Sequence, residues 1–290
     1  MDVLHRFTDD TSTFHATLVQ GKPAVFRPAD PPTDLFPPGE LDHWLDTGLL
    51  RVPYLQLVTE KGEIELPRFC PPRVVLNRVE HGYVDGAAVR ELQSEATQLL
   101  RYVDQWHPGI RAFCAAMREQ LGRQVEAFYF VTPPGTQGRP VHRDDADVLV
   151  VQIGGTKDWY LYGAPDNDRW APGTADVTDG PVFTARLDPG EVLYVPRGHA
   201  HHAVAVGADA SAHLSFTVRE AGGTQLHAAL AELLTTRSAA LRPIGETELL
   251  AAADQMLTDA RAALSELTAE SLVDRARTRM RAVAPVPRHG

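Results

Sequence analysis

From Val125 to Arg219 the chain is a succession of short β-rich runs, each cut off by a turn that carries glycine or proline: VEAFYFVT, DVLVVQIGG, DWYLYGAP, GPVFTARLDPGEVLYVPRG, HHAVAV and AHLSFTVR. Strands this short and this evenly spaced bury their apolar side chains only by closing on one another, so the pattern predicts a sandwich or barrel. Within it DVLVVQI is apolar at every other position on both faces, which places it in the middle of a sheet.

The flanks read differently. Upstream, Pro23, Pro28, Pro31, Pro32, Pro37 and Pro38 break the chain, leaving a strand-like Ala24-Val25-Phe26, a helical turn or two over Glu40 to Leu45, and short strands over Val52 to Val58 and at Val74-Val75. Asp85 is placed to cap a helix carrying Val89, Leu92, Ala96, Leu99, Leu100 and Val103. Pro108 opens a second helix with the stripe Ile110, Phe113, Ala116, Met117 and Leu121, stopped at Gly122. Downstream of Gly222-Gly223 the chain turns Ala/Leu-rich. Leu226, Leu230, Leu233, Leu234 and Leu241 fit one helix, Leu250, Ala253, Leu257, Ala260, Leu264 and Leu267 a second, and Leu272 to Met280 a third. About seventy residues of helix bury little of their own stripes, so these helices are expected to pack on the barrel or on a second copy of the chain. The expected division is 1–124 for strands and helices flanking the barrel, 125–220 for the barrel, and 221–290 for a helical, dimerising region.

Composition narrows the function. Asp+Glu number 38 against 28 Lys+Arg, a net charge of −10, and there is no basic run, so nucleic acid is not the expected partner. Cys70 and Cys114 are the sole cysteines and lack metal spacing, which points to a reducing compartment. No apolar run approaches the ~18 residues of a membrane span, and the N-terminus lacks a signal-peptide pattern. A cytoplasmic protein is expected.

The chemistry centres on His142-Arg143-Asp144, where a turn-rich segment enters the apolar strand. Residues i and i+2 of a strand share a face, so His142 and Asp144 would project inward together and Arg143 the other way, towards a barrel-wall carboxylate or an acidic part of a substrate. A later strand runs into Pro196-Arg197-Gly198-His199-Ala200-His201-His202 and offers a third ligand among its histidines. Two imidazoles and one carboxylate on one face of an octahedron are the donor set of non-haem Fe(II) oxygenases, with positions left for a bidentate co-substrate and O2. The acidic cluster Asp144, Asp145 and Asp147 lacks the glycine spacing of a calcium loop and would serve, beyond Asp144, to draw a cationic substrate to the mouth. No phosphate-binding glycine motif is present.

The segment TPPGTQGRPVHRDDADVLVVQIGGTKDWYLYGAP, followed by LDPGEVLYVPRGHAHHAVA and SAHLSFTV, resembles the JmjC-type cupin oxygenases, most closely their ribosomal oxygenase branch and its bacterial cupin-like relatives. The resemblance implies a mainly β fold with flanking α: a double-stranded β-helix of the cupin or jelly-roll kind plus a C-terminal helical region that dimerises. It implies Fe(II), 2-oxoglutarate and O2. It selects His201 as the third ligand, beside His142 and Asp144, with His199 the next choice and His202 facing away. It also makes Lys157, fifteen residues after His142 in Gly-Gly-Thr-Lys-Asp-Trp, the cation for the far carboxylate of 2-oxoglutarate. Where this branch usually carries an Asn and a Tyr before the PPG turn, this chain has Phe128 and Phe130. Ser215, or the Tyr129 hydroxyl in a shifted register, would then replace those polar contacts, with His213 nearby on the last strand.

The implied activity is hydroxylation of a C–H bond in an amino-acid side chain of a protein, peptide or biosynthetic intermediate. The stretch after the barrel holds helices but not the winged-helix module of ribosome-directed relatives, which favours another target. Two rivals stand beside it: a non-catalytic metal- or ligand-binding cupin, and a dioxygenase that does not use 2-oxoglutarate.

Overall fold

The computed structural model describes residues 2–165, 167, 170–235 and 245–283. Fifteen strands and eight α-helices are found among them. The strands are β1 (Ala24–Phe26), β2 (Leu55–Thr59), β3 (Gly62–Glu63), β4 (Arg73–Val75), β5 (Arg78–Glu80), β6 (Thr97–Leu100), β7 (Gln124–Thr132), β8 (His142–Arg143), β9 (Asp147–Gly154), β10 (Thr156–Leu161), β11 (Gly173–Thr174), β12 (Phe183–Leu187), β13 (Val192–Val195), β14 (His201–Val206) and β15 (Ser211–Arg219). The helices are α1 (Thr11–Gln20), α2 (Glu40–Asp46), α3 (Gly86–Glu91), α4 (Val103–Trp106), α5 (Pro108–Leu121), α6 (Gly223–Thr235), α7 (Glu246–Ser265) and α8 (Ala269–Val283).

An eight-stranded sheet in the order β1-β13-β9-β15-β7-β6-β2-β3 faces a five-stranded sheet in the order β11-β8-β14-β10-β12. This is the double-stranded β-helix expected from the sequence. Strand β9 explains the architecture: Val148 and Val150 pack towards the smaller sheet with Trp159, Leu161, Leu187, Leu193 and Val195. Leu149, Val151 and Ile153 point to the other face, into a core with Phe7, Phe14, Phe36, Ile110, Met117, Tyr194 and Phe216. A strand covered on both faces needs apolar residues on both, as Val148 to Val151 supply; Gln152, buried farther along, is held by hydrogen bonds from its Nε2 to the Gly154 and Gly155 carbonyls and Ser211 Oγ.

The N-terminal third does more than flank the barrel, because β1, β2, β3 and β6 extend its larger sheet. Residues Met1–Leu121 and Val125–Arg219 accordingly form one compact unit. Asp85 does cap α3, its carboxylate accepting from the amides of Ala87 and Ala88 at 2.9 and 3.2 Å. That helix ends at Glu91, however, and the expected continuation through Leu100 is instead the strand β6. All four residues of β6 are buried, and they pair with β2 on one side and β7 on the other. The helical spacing from Val89 to Val103 thus falls on three elements, α3, β6 and the start of α4, and sheet pairing overrides the local preference.

Gly122–Gln124 and the chain from Glu220 form a second unit. Here α6 packs chiefly on α8, and the buried residues are Ala229, Ala263, Ala276 and Met280. Leu249, Leu250, Met256, Leu257 and Leu264 of α7 stay exposed. Leu241, expected on the first of these helices, lies outside the described residues.

Candidate active site

Strand β8 is two residues long, and its register does the positioning: His142 pairs directly with His201 across the β8–β14 ladder. The two rings lie 4.3 Å apart between centroids. Asp144 follows the strand and turns its carboxylate towards both, with Oδ2 at 3.8 Å from His142 Nε2 and 3.6 Å from His201 Nε2. One ligand atom from each of His142, Asp144 and His201 falls within 4.8 Å of the others.

The histidines are prepared to be ligands. Nδ1 of His142 is 2.9 Å from the Pro140 carbonyl and Nδ1 of His201 is 2.9 Å from the His199 carbonyl. A carbonyl only accepts, so each ring carries its proton on Nδ1 and leaves the Nε2 lone pair facing Asp144. Burial pushes both imidazoles below the usual histidine range. For His142 the charges of His201 and Arg139 push the same way, while for His201 the Asp144 carboxylate opposes the shift. Two neutral imidazoles with unprotonated Nε2 atoms, that of His142 met by Arg139 Nη1 at 3.1 Å, and one carboxylate suit a divalent ion with open coordination positions.

His199 supplies only its main chain to this arrangement, through the carbonyl that fixes His201. His202 faces away, stacked on Tyr160 at 4.9 Å and on Tyr162 at 5.7 Å. Arg143 also faces away, but it meets no carboxylate among the described residues. Its Nη1 donates to the carbonyls of Gly163 at 3.0 Å and Gly198 at 2.6 Å, so it ties the Pro196–His201 turn to the first-ligand strand. Gly198 needs a positive φ of +80° there, and a Cβ would stand 3.1 Å from Trp170.

Lys157 is carried into the same cavity by the turn between β9 and β10, where the chain passes from the larger sheet to the smaller. Gly155 makes that turn at φ +60°, where a Cβ would lie 2.4 Å from the Ala210 carbonyl oxygen. Lys157 is 2% exposed. Its Nζ donates to Thr132 Oγ1 at 2.8 Å and lies 3.4 Å from His213 Nδ1. Both partners are neutral groups, and burial holds the ammonium pKa down to about 7, while burial and then Lys157 hold His213 well below its usual range. A buried amine without a carboxylate partner is a ready receptor for an anion.

The remaining candidates divide. Phe128, Phe130, Ser215 and His213 all line the cavity, and Phe130 stacks on His213 at 4.6 Å with an 8° interplanar angle. Tyr129 takes the opposite face of β7 and packs on Phe36 at 4.3 Å, so the register does not shift and its hydroxyl belongs to the other core. The acidic cluster does not stand free as a lure for cations: Asp145 pairs with Arg219 at 2.7 Å, and Asp147 accepts from the Tyr194 hydroxyl at 2.9 Å and the Arg197 amide at 3.0 Å.

Sequence reasoning passed over Thr132, Arg101 and Arg139. Thr132 was within reach, because the alternation that turns Phe128 and Phe130 inward turns it inward too. The cavity measures about 330 Å³, the size of a small-ligand site. Trp159 in its wall has a buried indole N–H with no acceptor among the described residues, which fits an oxygen-bearing ligand.

The chain folds as a jelly-roll barrel with a His-Asp-His cluster and a buried lysine in one cavity, and residues 99–226 match the JmjC domain family model. The chain is similar over part of its length to curated proteins named bifunctional lysine-specific demethylase and histidyl-hydroxylase NO66. With that of Drosophila grimshawi it shares 37% identity over 142 residues, 47% of this chain and 18% of the relative. With that of Dictyostelium discoideum it shares 30% over 139 residues, 46% of this chain and 25% of the relative. The chain thus spans about a fifth of the length of the curated relatives it matches. Among solved structures it resembles YcfD of Escherichia coli, with a TM-score of 0.59 at 18% identity over 91% of this chain and 69% of that one. YcfD described as a ribosomal oxygenase in complex with cobalt and 2-oxoglutarate aligns with a TM-score of 0.55 at 18% identity, over 86% of this chain and 66% of that one. The resemblance to JmjC proteins thus holds in sequence over residues 99–226, and the likeness to YcfD is one of fold.

Proposed function

We propose that this chain is an Fe(II)- and 2-oxoglutarate-dependent dioxygenase that hydroxylates a C–H bond of an amino-acid side chain in a protein, peptide or biosynthetic intermediate. The observation that carries the proposal is the pairing, inside one cavity, of the His142, Asp144 and His201 cluster with a buried lysine that has no carboxylate partner among the described residues. The metal would be held by His142, Asp144 and His201, and with O2 and 2-oxoglutarate it supplies the oxidising chemistry, giving succinate, CO2 and a hydroxylated product. Lys157, oriented by Thr132, would take the far carboxylate of the co-substrate, with Ser215 and His213 beside it. Phe128 and Phe130 supply an apolar wall that keeps water from the reacting centre.

The exposed leucines of α7 support a homodimer formed through the C-terminal helices, since apolar residues at that density are normally covered. Among the described residues no helix is long and apolar enough to cross a membrane. The two cysteines are free and buried, which accords with a cytoplasmic setting.

The decisive measurement is succinate release by the purified protein with Fe(II), ascorbate and 2-oxoglutarate. Slow uncoupled turnover that disappears in His142→Ala is expected. Absence of both turnover and metal binding would leave a ligand-binding cupin, and full activity in Lys157→Ala would leave a dioxygenase that does not use 2-oxoglutarate.

A further inference from the structure

Three arginines line the cavity, and they are not alike. Arg219 is saturated by Asp145 at 2.7 Å and Glu126 at 2.9 Å. Arg139 and Arg101 have no carboxylate within ion-pair distance among the described residues. Arg139 is half-buried, and its side chain makes one hydrogen bond, from Nη1 to Nε2 of His142 at 3.1 Å. Arg101 is half-buried with its guanidinium over the Tyr102 ring at 5.5 Å. Glu63 reaches the same cavity but pairs with neither. Burial and then Arg101 weigh against the charge on Arg139, and Asp144 and Glu63 favour it without reaching ion-pair distance, so a carboxylate that did reach both guanidiniums would be held.

We infer that the substrate presents a carboxylate to Arg139 and Arg101, as an acidic side chain or as an α-carboxylate. This rests on the dioxygenase reading above. On that reading the charge of a ferrous ion is met by Asp144 and by the chelating end of 2-oxoglutarate, and the far end by Lys157. That leaves the two guanidiniums only Glu63, which is within ion-pair distance of neither, and both forks have the planar geometry that a carboxylate fits. A metal on Nε2 of His142 also takes the lone pair to which Arg139 now donates. The freed guanidinium then stands close to a dication, an arrangement that an anion between them relieves. A substrate with a cationic side chain would meet charge of its own sign here, so the site is not built for lysine or arginine.

The test uses the full chain loaded with diamagnetic Zn(II) and 2-oxoglutarate and reads ligand binding by saturation-transfer NMR. The probes are N-acetylglutamate α-amide, N-acetylglycine, N-acetylglutamine amide and N-acetylarginine amide. At least one carboxylate probe is expected to bind ~10-fold or more tighter than the neutral and cationic amides, as for a charge-assisted contact. The first of them wins if the carboxylate is a side chain, the second if it is an α-carboxylate. In Arg139→Leu, and separately in Arg101→Leu should the first variant fold poorly, that preference disappears while affinity for 2-oxoglutarate stays within about twofold. Equal binding of the glutamine amide overturns the inference. So does loss of 2-oxoglutarate binding in Arg139→Leu, which would assign the guanidinium to the co-substrate. Failure of the Zn(II) protein to bind 2-oxoglutarate at all defeats the dioxygenase reading instead, and the same probes titrated on the Zn(II) protein then decide the carboxylate assignment.

Discussion

The two ends of the cavity solve the problem of burying polar groups in opposite ways. At the His142 and His201 end the imidazoles are made neutral, their protons are committed to main-chain carbonyls, and lone pairs are turned inward beside a carboxylate. At the Lys157 end a proton-bearing amine is buried against a hydroxyl and a neutral ring with no anion to balance it. One end offers electron pairs and the other offers N–H groups, so they are complementary to two different parts of one ligand set: a cation and a distant carboxylate. The comparison implies that the ends fail separately when altered.

The largest effect expected is at the electron-pair end. His142→Ala should abolish metal-dependent succinate release down to the protein-free control, with loss of the bound ion by elemental analysis and an unchanged circular dichroism spectrum. At the other end, Lys157→Ala should keep the metal yet weaken 2-oxoglutarate binding by ~10- to 100-fold, the worth of a charged hydrogen bond, measured by calorimetry. Equal damage to metal affinity would break the separation.

Acidity sharpens the same contrast. With the free amine pKa at about 7 against an ordinary 10.5, a dicarboxylate that requires the ammonium must bring a proton with it above neutrality. Its affinity should fall by up to ~10-fold per pH unit above pH 7, with proton uptake visible as buffer-dependent binding heat. For the ligand-free protein the sign is fixed by proton count: between about 7 and 10.5 the unfolded chain holds the proton and the native one does not, so stability should rise with pH across that window. Smaller still, Arg143→Ala removes the ties to the Gly163 and Gly198 carbonyls and should loosen metal binding by ~10-fold with 2-oxoglutarate affinity spared, as for other groups that hold a ligand in place. Smallest, Thr132→Val leaves Lys157 one hydrogen bond short and should cost about threefold to tenfold in 2-oxoglutarate affinity alone.

How far the sequence went differs by residue. The barrel was legible because β9 is apolar on both faces, and His142 and Asp144 because strand parity is a strict rule. His201 needed the family resemblance, since parity alone admits His199 as well. Strand β6 was misread as helix because its pairing partners lie in distant parts of the chain, and no local pattern records them. Arg143 was placed on the correct face but given the wrong partner: the carbonyls that receive it are twenty and fifty-five residues away and carry no side-chain signature. Arg139 and Arg101 gave no signal, for an arginine in a turn is ordinarily solvated.

The two candidate metal-binding imidazoles are aimed by peptide carbonyls, those of Pro140 and His199. A carbonyl is present whatever amino acid occupies the position, so replacing a neighbouring side chain does not erase it. The aim of the two rings is thereby written into the path of the chain, and the walls around them are left open to mutational drift. Such a scaffold lets a lineage exchange one substrate for another by altering side chains in the wall while the oxidising centre stays where it is.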